Sequence, residues 1–154
     1  GQDVTGSAGQ AVTVDAVMSA VSAMHLAIEI PNSRYQDFVT VGEGSLIADF
    51  ACACHVVVGE AVQQDWRTLD LAQHAVSVRV NGDTVAHGQG ANVLGDPRWA
   101  LTWLANELMA HGRCLRAGDT VITGTCVVPV AVGEGDAVTV DFGALGTLSV
   151  SLRA

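Results

Sequence analysis

Glu29 interrupts the apolar run Leu26-Ala27-Ile28-Glu29-Ile30, and a carboxylate so placed carries a desolvation penalty unless it is paired, exposed or bound to a cation. The residues alone leave three readings open: a functional acid or cation ligand, a partly exposed strand face, or a salt bridge with Arg34. Asp49, set between Ile47-Ala48 and Phe50-Ala51, has two readings, a site acid or the cap of a short helix. The cysteines at 52, 54, 114 and 126 do not form a zinc signature, because one Cys-x-Cys with the next cysteine far away lacks the paired knuckles of a tetrahedral site; they read as free thiols. His25, His55 and His74 lie in or beside apolar strands, where a hydrogen-bonded structural imidazole is the ordinary role, and no Gly-x-Ser-x-Gly elbow accompanies them. Gly88-Gln89-Gly90 fails as a dinucleotide fingerprint: residue 93 is valine where the third glycine belongs, and a hairpin strand precedes it.

The basic residues are seven arginines and no lysine, which excludes a Walker loop, a Schiff base and a lysine general base within these 154 residues. A net charge of −9 excludes a counterion-releasing nucleic-acid surface, so no nucleic-acid partner is expected. Hydrophobic residues at 49% against charged residues at 15% describe a globule able to offset the entropy of ordering, not a disordered chain. The longest apolar stretches fall short of a membrane span, and residues 1–12 lack the pattern of a signal peptide; a cytoplasmic protein with no membrane partner is expected.

These side chains must be held by elements whose periods are legible. Thr13 caps a helix carrying Val14, Val17, Val21 and Met24 at helical spacing, and from His25 the period becomes two, with Leu26, Ile28 and Ile30 on one strand face and Ala27 and Glu29 on the other. Residues 36–46 read as a Gly-rich mobile loop, 47–51 as a short helix and 54–58 as a buried strand. Asn81-Gly82 joins strands 74–80 and 84–88 as a hairpin. Asp96-Pro97 starts a helix that ends at Gly112, and strands follow at 120–123, 127–132, 137–142 and 147–152. One domain without internal repeats is expected.

Taken in order, Leu26-Ala27-Ile28-Glu29-Ile30-Pro31-Asn32-Ser33-Arg34-Tyr35, Ile47-Ala48-Asp49, Val93-Leu94-Gly95-Asp96-Pro97, Trp103-Leu104-Ala105-Asn106, Leu115-Arg116-Ala117-Gly118-Asp119, Thr123-Gly124-Thr125, Gly135-Asp136 and Gly143-Ala144-Leu145-Gly146 resemble the fumarylacetoacetate hydrolase superfamily, in its branch of 2-keto-4-pentenoate hydratases and 4-oxalocrotonate decarboxylases. The resemblance spans nearly the whole chain. It implies an α+β fold with a mainly antiparallel, rolled or barrel-like sheet and covering helices. It also implies that Glu29 is one of three carboxylates holding Mg²⁺ or Mn²⁺. The family's Ala-Asp-Asn-Ala-Ser segment, which supplies polar active-site groups, corresponds to Ala48-Asp49-Phe50-Ala51-Cys52. Asp49 is kept there as a catalytic candidate, while Phe50 replaces asparagine and Cys52 replaces serine with a weaker donor. Thr123, Gly124 and Thr125 match the stretch that approaches the substrate carboxylate, with a plain strand-ending turn as the other reading.

A Glu-x-Glu pair and an active-site lysine, which family members carry ahead of the matched segment, are absent from these residues. Residues 1–154 are therefore expected to be the C-terminal portion of a longer catalytic domain, the other reading being a short relative that has lost the chemistry. The implied activity is a metal-dependent hydro-lyase adding water to a 2-hydroxy-2,4-dienoate to give a 4-hydroxy-2-oxo acid in aromatic-compound breakdown. The alternatives are a 4-oxalocrotonate-type decarboxylase at the same metal, or a non-catalytic subunit. The implied partners are the small 2-oxo or 2-hydroxydienoate acid and further copies of the chain in a homo-oligomer, or a complementing chain.

Overall fold

The computed structural model describes residues 1–6 and 10–153, with mixed helix and antiparallel sheet. Two helices and an N-terminal segment make one core. Thr13 accepts the Ala16 amide at its hydroxyl and starts helix α1 (Val14–Ala20), which stops four residues before the expected Met24. The long helix α3 (Pro97–Ala110) begins as expected, with the Asp96 carboxylate accepting the Arg98 amide at 2.8 Å and proline in the first turn. It closes in a Schellman motif: with Gly112 at φ 68, the Gly112 and Arg113 amides donate to Met109 and Leu108 carbonyls. Val17 and Ala105, each 1% exposed, join the helices over Val4 and Leu115.

The second core lies under a four-stranded antiparallel sheet in the order β4-β3-β5-β6, with β3 Ala75–Val80, β4 Asp83–Gln89, β5 Ala137–Asp141 and β6 Thr147–Ser151. Val76, Val78, Val138 and Val140 alternate inward and close on Val127. The β3–β4 turn has Asn81 at φ 53 and Gly82 at φ 95, the positive pair a two-residue hairpin requires. Asn81 is held at both ends, its Nδ2 donating to Asp136 at 2.7 Å and its Oδ1 accepting the Ala137 amide at 2.9 Å.

Strands β1 (His25–Ile30) and β2 (His55–Ala61) form a separate antiparallel pair with Ile28 opposite Val57, Glu29 opposite Val56 and Ile30 opposite His55. Ile28 packs on the valine core, whereas the opposite face carries Ala27, Glu29, Val56 and Val58. Val56 and Val58 remain 44% and 45% exposed, so β2 is not the buried strand its composition suggests.

Three other expectations are corrected. Helix α2 covers Glu43–Ala48, starting inside the expected loop, and the chain then turns left-handed instead of continuing to 51. Among the described residues, 120–123 and 127–132 are strands in neither sheet: Pro129 has no amide to donate, and the backbone bond that reaches β4, from the Gln89 amide to the Cys126 carbonyl, falls between the two stretches. Among the described residues the two sheets stay separate and neither closes into a barrel.

Candidate functional site

Strand β1 presents Glu29 on its outer face, exposed and opposite Val56. Among the described residues its carboxylate makes no hydrogen bond or ion pair, and the Arg34 partnership allowed by the sequence is not formed. Arg34 instead reaches Asp49, Nη1 to Oδ1, at 3.0 Å. Glu29 lines an open cleft of about 1050 Å³ that extends over the valine core.

Asp49 is 4% exposed, a burial a carboxylate tolerates only when its oxygens are satisfied. Ser33 Oγ donates to its Oδ2 at 2.6 Å, and the Arg34 amide adds a contact at 3.2 Å. Immediately after it, Phe50, Ala51 and Cys52 take φ values of 53, 52 and 65. No glycine relieves this left-handed turn, which costs about 1–2 kcal/mol per residue for L side chains. Cys52 is buried and its carbonyl accepts the Asn32 amide at 2.9 Å. Neither Asp49 nor Cys52 lines the cleft; Asn32 and Cys54, on either side of this junction, do.

Thr123, Gly124 and Thr125 line the same cleft as Glu29. The Thr125 hydroxyl donates to the Val127 carbonyl at 2.7 Å, while that of Thr123 has no hydrogen-bond partner among the described residues. Gly124 sits at φ 121, and a Cβ there would meet Val93 Cγ1 at 3.2 Å. What fixes this segment is the Gly88-Gln89-Gly90 motif. A Cβ on Gly88 would lie 2.0 Å from the Cys126 carbonyl oxygen, and one on Gly90 1.8 Å from that of Leu71, so backbone packs on backbone at both positions. The Gln89 amide and the Asn92 side chain both donate to the Cys126 carbonyl, at 3.2 and 2.7 Å. Burial also pushes the Cys126 thiol above its ordinary pKa, leaving it protonated at neutral pH.

Glu29 and the Thr123–Gly124–Thr125 turn are thus both among the many residues that line one extended open cleft, while Asp49 and Cys52 stand in the junction that follows β1. Sequence reasoning missed Asn32, Cys54 and Asn92. The period-two pattern through β2 was the available signal for Cys54, which falls on the face shared by Val56 and Glu29. A divalent ion needs several oxygen ligands, and among the described residues no three His, Cys, Asp or Glu side chains gather to hold one. Glu29 offers a single exposed carboxylate, and the described residues do not make a complete metal site. No helix among them is long and apolar enough to cross a membrane.

Residues 4–153 match the family model described as fumarylacetoacetate (FAA) hydrolase C-terminal. The 4-oxalocrotonate decarboxylase of Pseudomonas putida is 34% identical over 133 residues, covering 86% of this chain and 50% of that protein. The 2-hydroxyhexa-2,4-dienoate hydratase of Comamonas testosteroni is 32% identical over 142 residues, covering 92% and 53%. The solved structure of 4-oxalocrotonate decarboxylase from Pseudomonas putida G7, complexed with magnesium and adipate, matches with a TM-score of 0.84 at 29% identity, covering 98% of this chain and 56% of that one. The chain spans about half the length of the curated relatives it matches.

Proposed function

Because the chain belongs to the fumarylacetoacetate hydrolase family, we infer that the whole protein is a cytoplasmic hydro-lyase that adds water to a 2-hydroxy-2,4-dienoate, giving a 4-hydroxy-2-oxo acid. The observation that supports this reading is that Glu29 and Thr123, Gly124 and Thr125, the positions matching the family's site motifs, line one open cleft. Residues 1–154 are read as the C-terminal portion of its catalytic domain, in keeping with their coverage of the relatives. Glu29 contributes one carboxylate toward Mg²⁺ or Mn²⁺, an ion that when bound stabilises negative charge on the substrate's 2-oxygen. The other ligands come from outside these residues, through a longer chain, a homo-oligomer or a complementing chain.

The residues in hand have separable tasks. Thr123 has a free hydroxyl to donate to the substrate carboxylate, and Thr125 keeps the turn in shape by spending its proton on Val127. The valine floor offers an apolar surface for the conjugated tail, leaving the polar contacts to orient the acid end. Asp49 and Cys52 act from the adjoining turn.

Decarboxylation of 4-oxalocrotonate is the second reading, favoured by the 34% identity to that enzyme. Incubating the intact protein and Mg²⁺ with each substrate separates them. Loss of dienoate absorbance without carbon dioxide supports the hydratase, and carbon dioxide release from 4-oxalocrotonate supports the decarboxylase. Turnover of neither refutes both.

A further inference from the structure

Three consecutive residues just past the end of β1 donate to one short stretch of chain. The Asn32 amide bonds the Cys52 carbonyl, the Ser33 hydroxyl bonds Asp49, and Arg34 bonds Asp49 through both its amide and its guanidinium. The receiving stretch is Asp49 and the left-handed turn that follows it, Phe50–Cys52, with no glycine at any of its three positive φ angles. Such a conformation persists only where its surroundings over-determine it. Packing does not do so at its start, since Phe50 is 72% exposed and meets the Arg34 guanidinium, 5.9 Å from its ring centroid. The turn is closed by backbone bonds from the Cys52 and Ala53 amides to the Asp49 and Phe50 carbonyls, both at 3.1 Å, and by burial of Cys52; what ties it to residues 32–34 is the buried Asp49 carboxylate and the Asn32–Cys52 bond.

Both strands leaving this junction enter the cleft. Ile30 pairs with His55 and Glu29 with Val56, so the junction closes the β1–β2 pair at the end that carries Glu29. A two-stranded sheet is marginal by itself, and its register depends on what ties its ends. Here the connection is long, and its neck is the contact between 32–34 and 49–52.

We propose that Asp49 is a positioning residue: its carboxylate latches residues 32–34 onto the strained Phe50–Cys52 turn, and the latch sets where Glu29, Asn32 and Cys54 stand in the cleft. This assignment rests on reading that cleft as the substrate site. Asp49 works through Ser33 and Arg34 and touches no reacting atom.

The test uses the intact protein with Asp49→Asn, Ala51→Gly and the double variant. Glycine adopts the left-handed conformation without a Cβ clash, so Ala51→Gly relaxes the turn that Asp49 must otherwise hold. Asp49→Asn is expected to lower kcat for 2-hydroxyhexa-2,4-dienoate by about tenfold or more with KM little changed, the signature of a misplaced group. Ala51→Gly alone leaves kcat within about twofold, and the double variant regains about fivefold, the worth of one relieved left-handed residue. The second readout is hydrogen exchange at the Asn32 amide, which bonds Cys52 and not Asp49: faster in Asp49→Asn, slowed again in the double variant. A loss of kcat that Ala51→Gly does not rescue, or unchanged Asn32 exchange in Asp49→Asn, overturns the proposal. If the unaltered protein turns over no dienoate, the reaction assigned above fails, and Asn32 exchange alone decides the latch.

Discussion

Replacing Gly88 by alanine inserts a methyl group where the chain has no room. Its Cβ would stand 2.0 Å from the Cys126 carbonyl oxygen, 2.9 Å from the carbonyl carbon and 3.1 Å from Val127 Cα. Real contacts of this kind begin near 3.0 Å, and every obstructing atom is backbone, so no rotamer change gives relief. The 124–127 segment must move by about 1 Å or β4 must bend. Overpacking of this sort costs about 1–3 kcal/mol. The displacement also pulls the Cys126 carbonyl from the Gln89 amide and the Asn92 side chain, each bond contributing about 1 kcal/mol. A loss of about 3–5 kcal/mol follows, which for a domain of this size lowers Tm by about 10 °C. Gly44→Ala is the control: it lies in α2 with nothing within 4 Å of its new Cβ and should be neutral or slightly stabilising. Urea or thermal unfolding of both variants decides the matter. If Gly88→Ala is as stable as Gly44→Ala, the close approach of β4 to the Cys126 backbone is not a constraint on this fold.

In the intact protein, Glu29→Gln should weaken Mg²⁺ binding by calorimetry at least tenfold while the far-ultraviolet circular dichroism stays unchanged, because the amide keeps the shape and loses the charge. Cys52→Ser should lower stability by about 1–3 kcal/mol in urea, since a hydroxyl buried without a partner is left unsatisfied; an increase in turnover would instead mark position 52 as a substrate or water contact. Asp96→Ala should cost about 1–2 kcal/mol at pH 7 through the lost α3 cap. The side-chain hydrogen bond from Arg98 holds the Asp96 carboxyl below the usual carboxylate range, so its stabilisation is present above about pH 4, the unfolded value. That contribution is lost as pH falls through the folded value, and thermal melts of the wild type and Asp96→Ala should converge once the pH lies below it. A constant gap would refute the assignment.

Local signals decided most of what the chain announced about itself. The start of α3 is written in Asp96-Pro97 and its end in Gly112, and the β3–β4 hairpin in Asn81-Gly82, because caps and tight turns are settled by residues adjacent in sequence. The position of Glu29 on the outer face of β1 follows equally from a period of two. The stretch 120–132 misled for the opposite reason: valines and threonines favour extended chain, but a strand also needs a neighbour, and that is a tertiary fact. Nothing local announces a left-handed turn at Phe50, Ala51 and Cys52, whose side chains all disfavour it. In the sequence Gly88 and Gly90 read only as a failed dinucleotide fingerprint, with no sign of why glycine stands there. The reason, a backbone lying against each, exists only in three dimensions.

The doubly tethered Asn81 has a bearing on how the protein ages. An asparagine followed by glycine is the dipeptide most prone to succinimide formation, because the next amide nitrogen can swing onto the side-chain carbonyl carbon. Here the Asn81 amide oxygen and nitrogen are both occupied, by the Ala137 amide and by Asp136, which keeps the side chain facing β5 and away from Gly82. Conversion to aspartate would put a second carboxylate in the place of a donor 2.7 Å from the Asp136 oxygen. The two would repel at the mouth of the hairpin, so chemical wear at this one turn would loosen the β3–β5 pairing from its end inward.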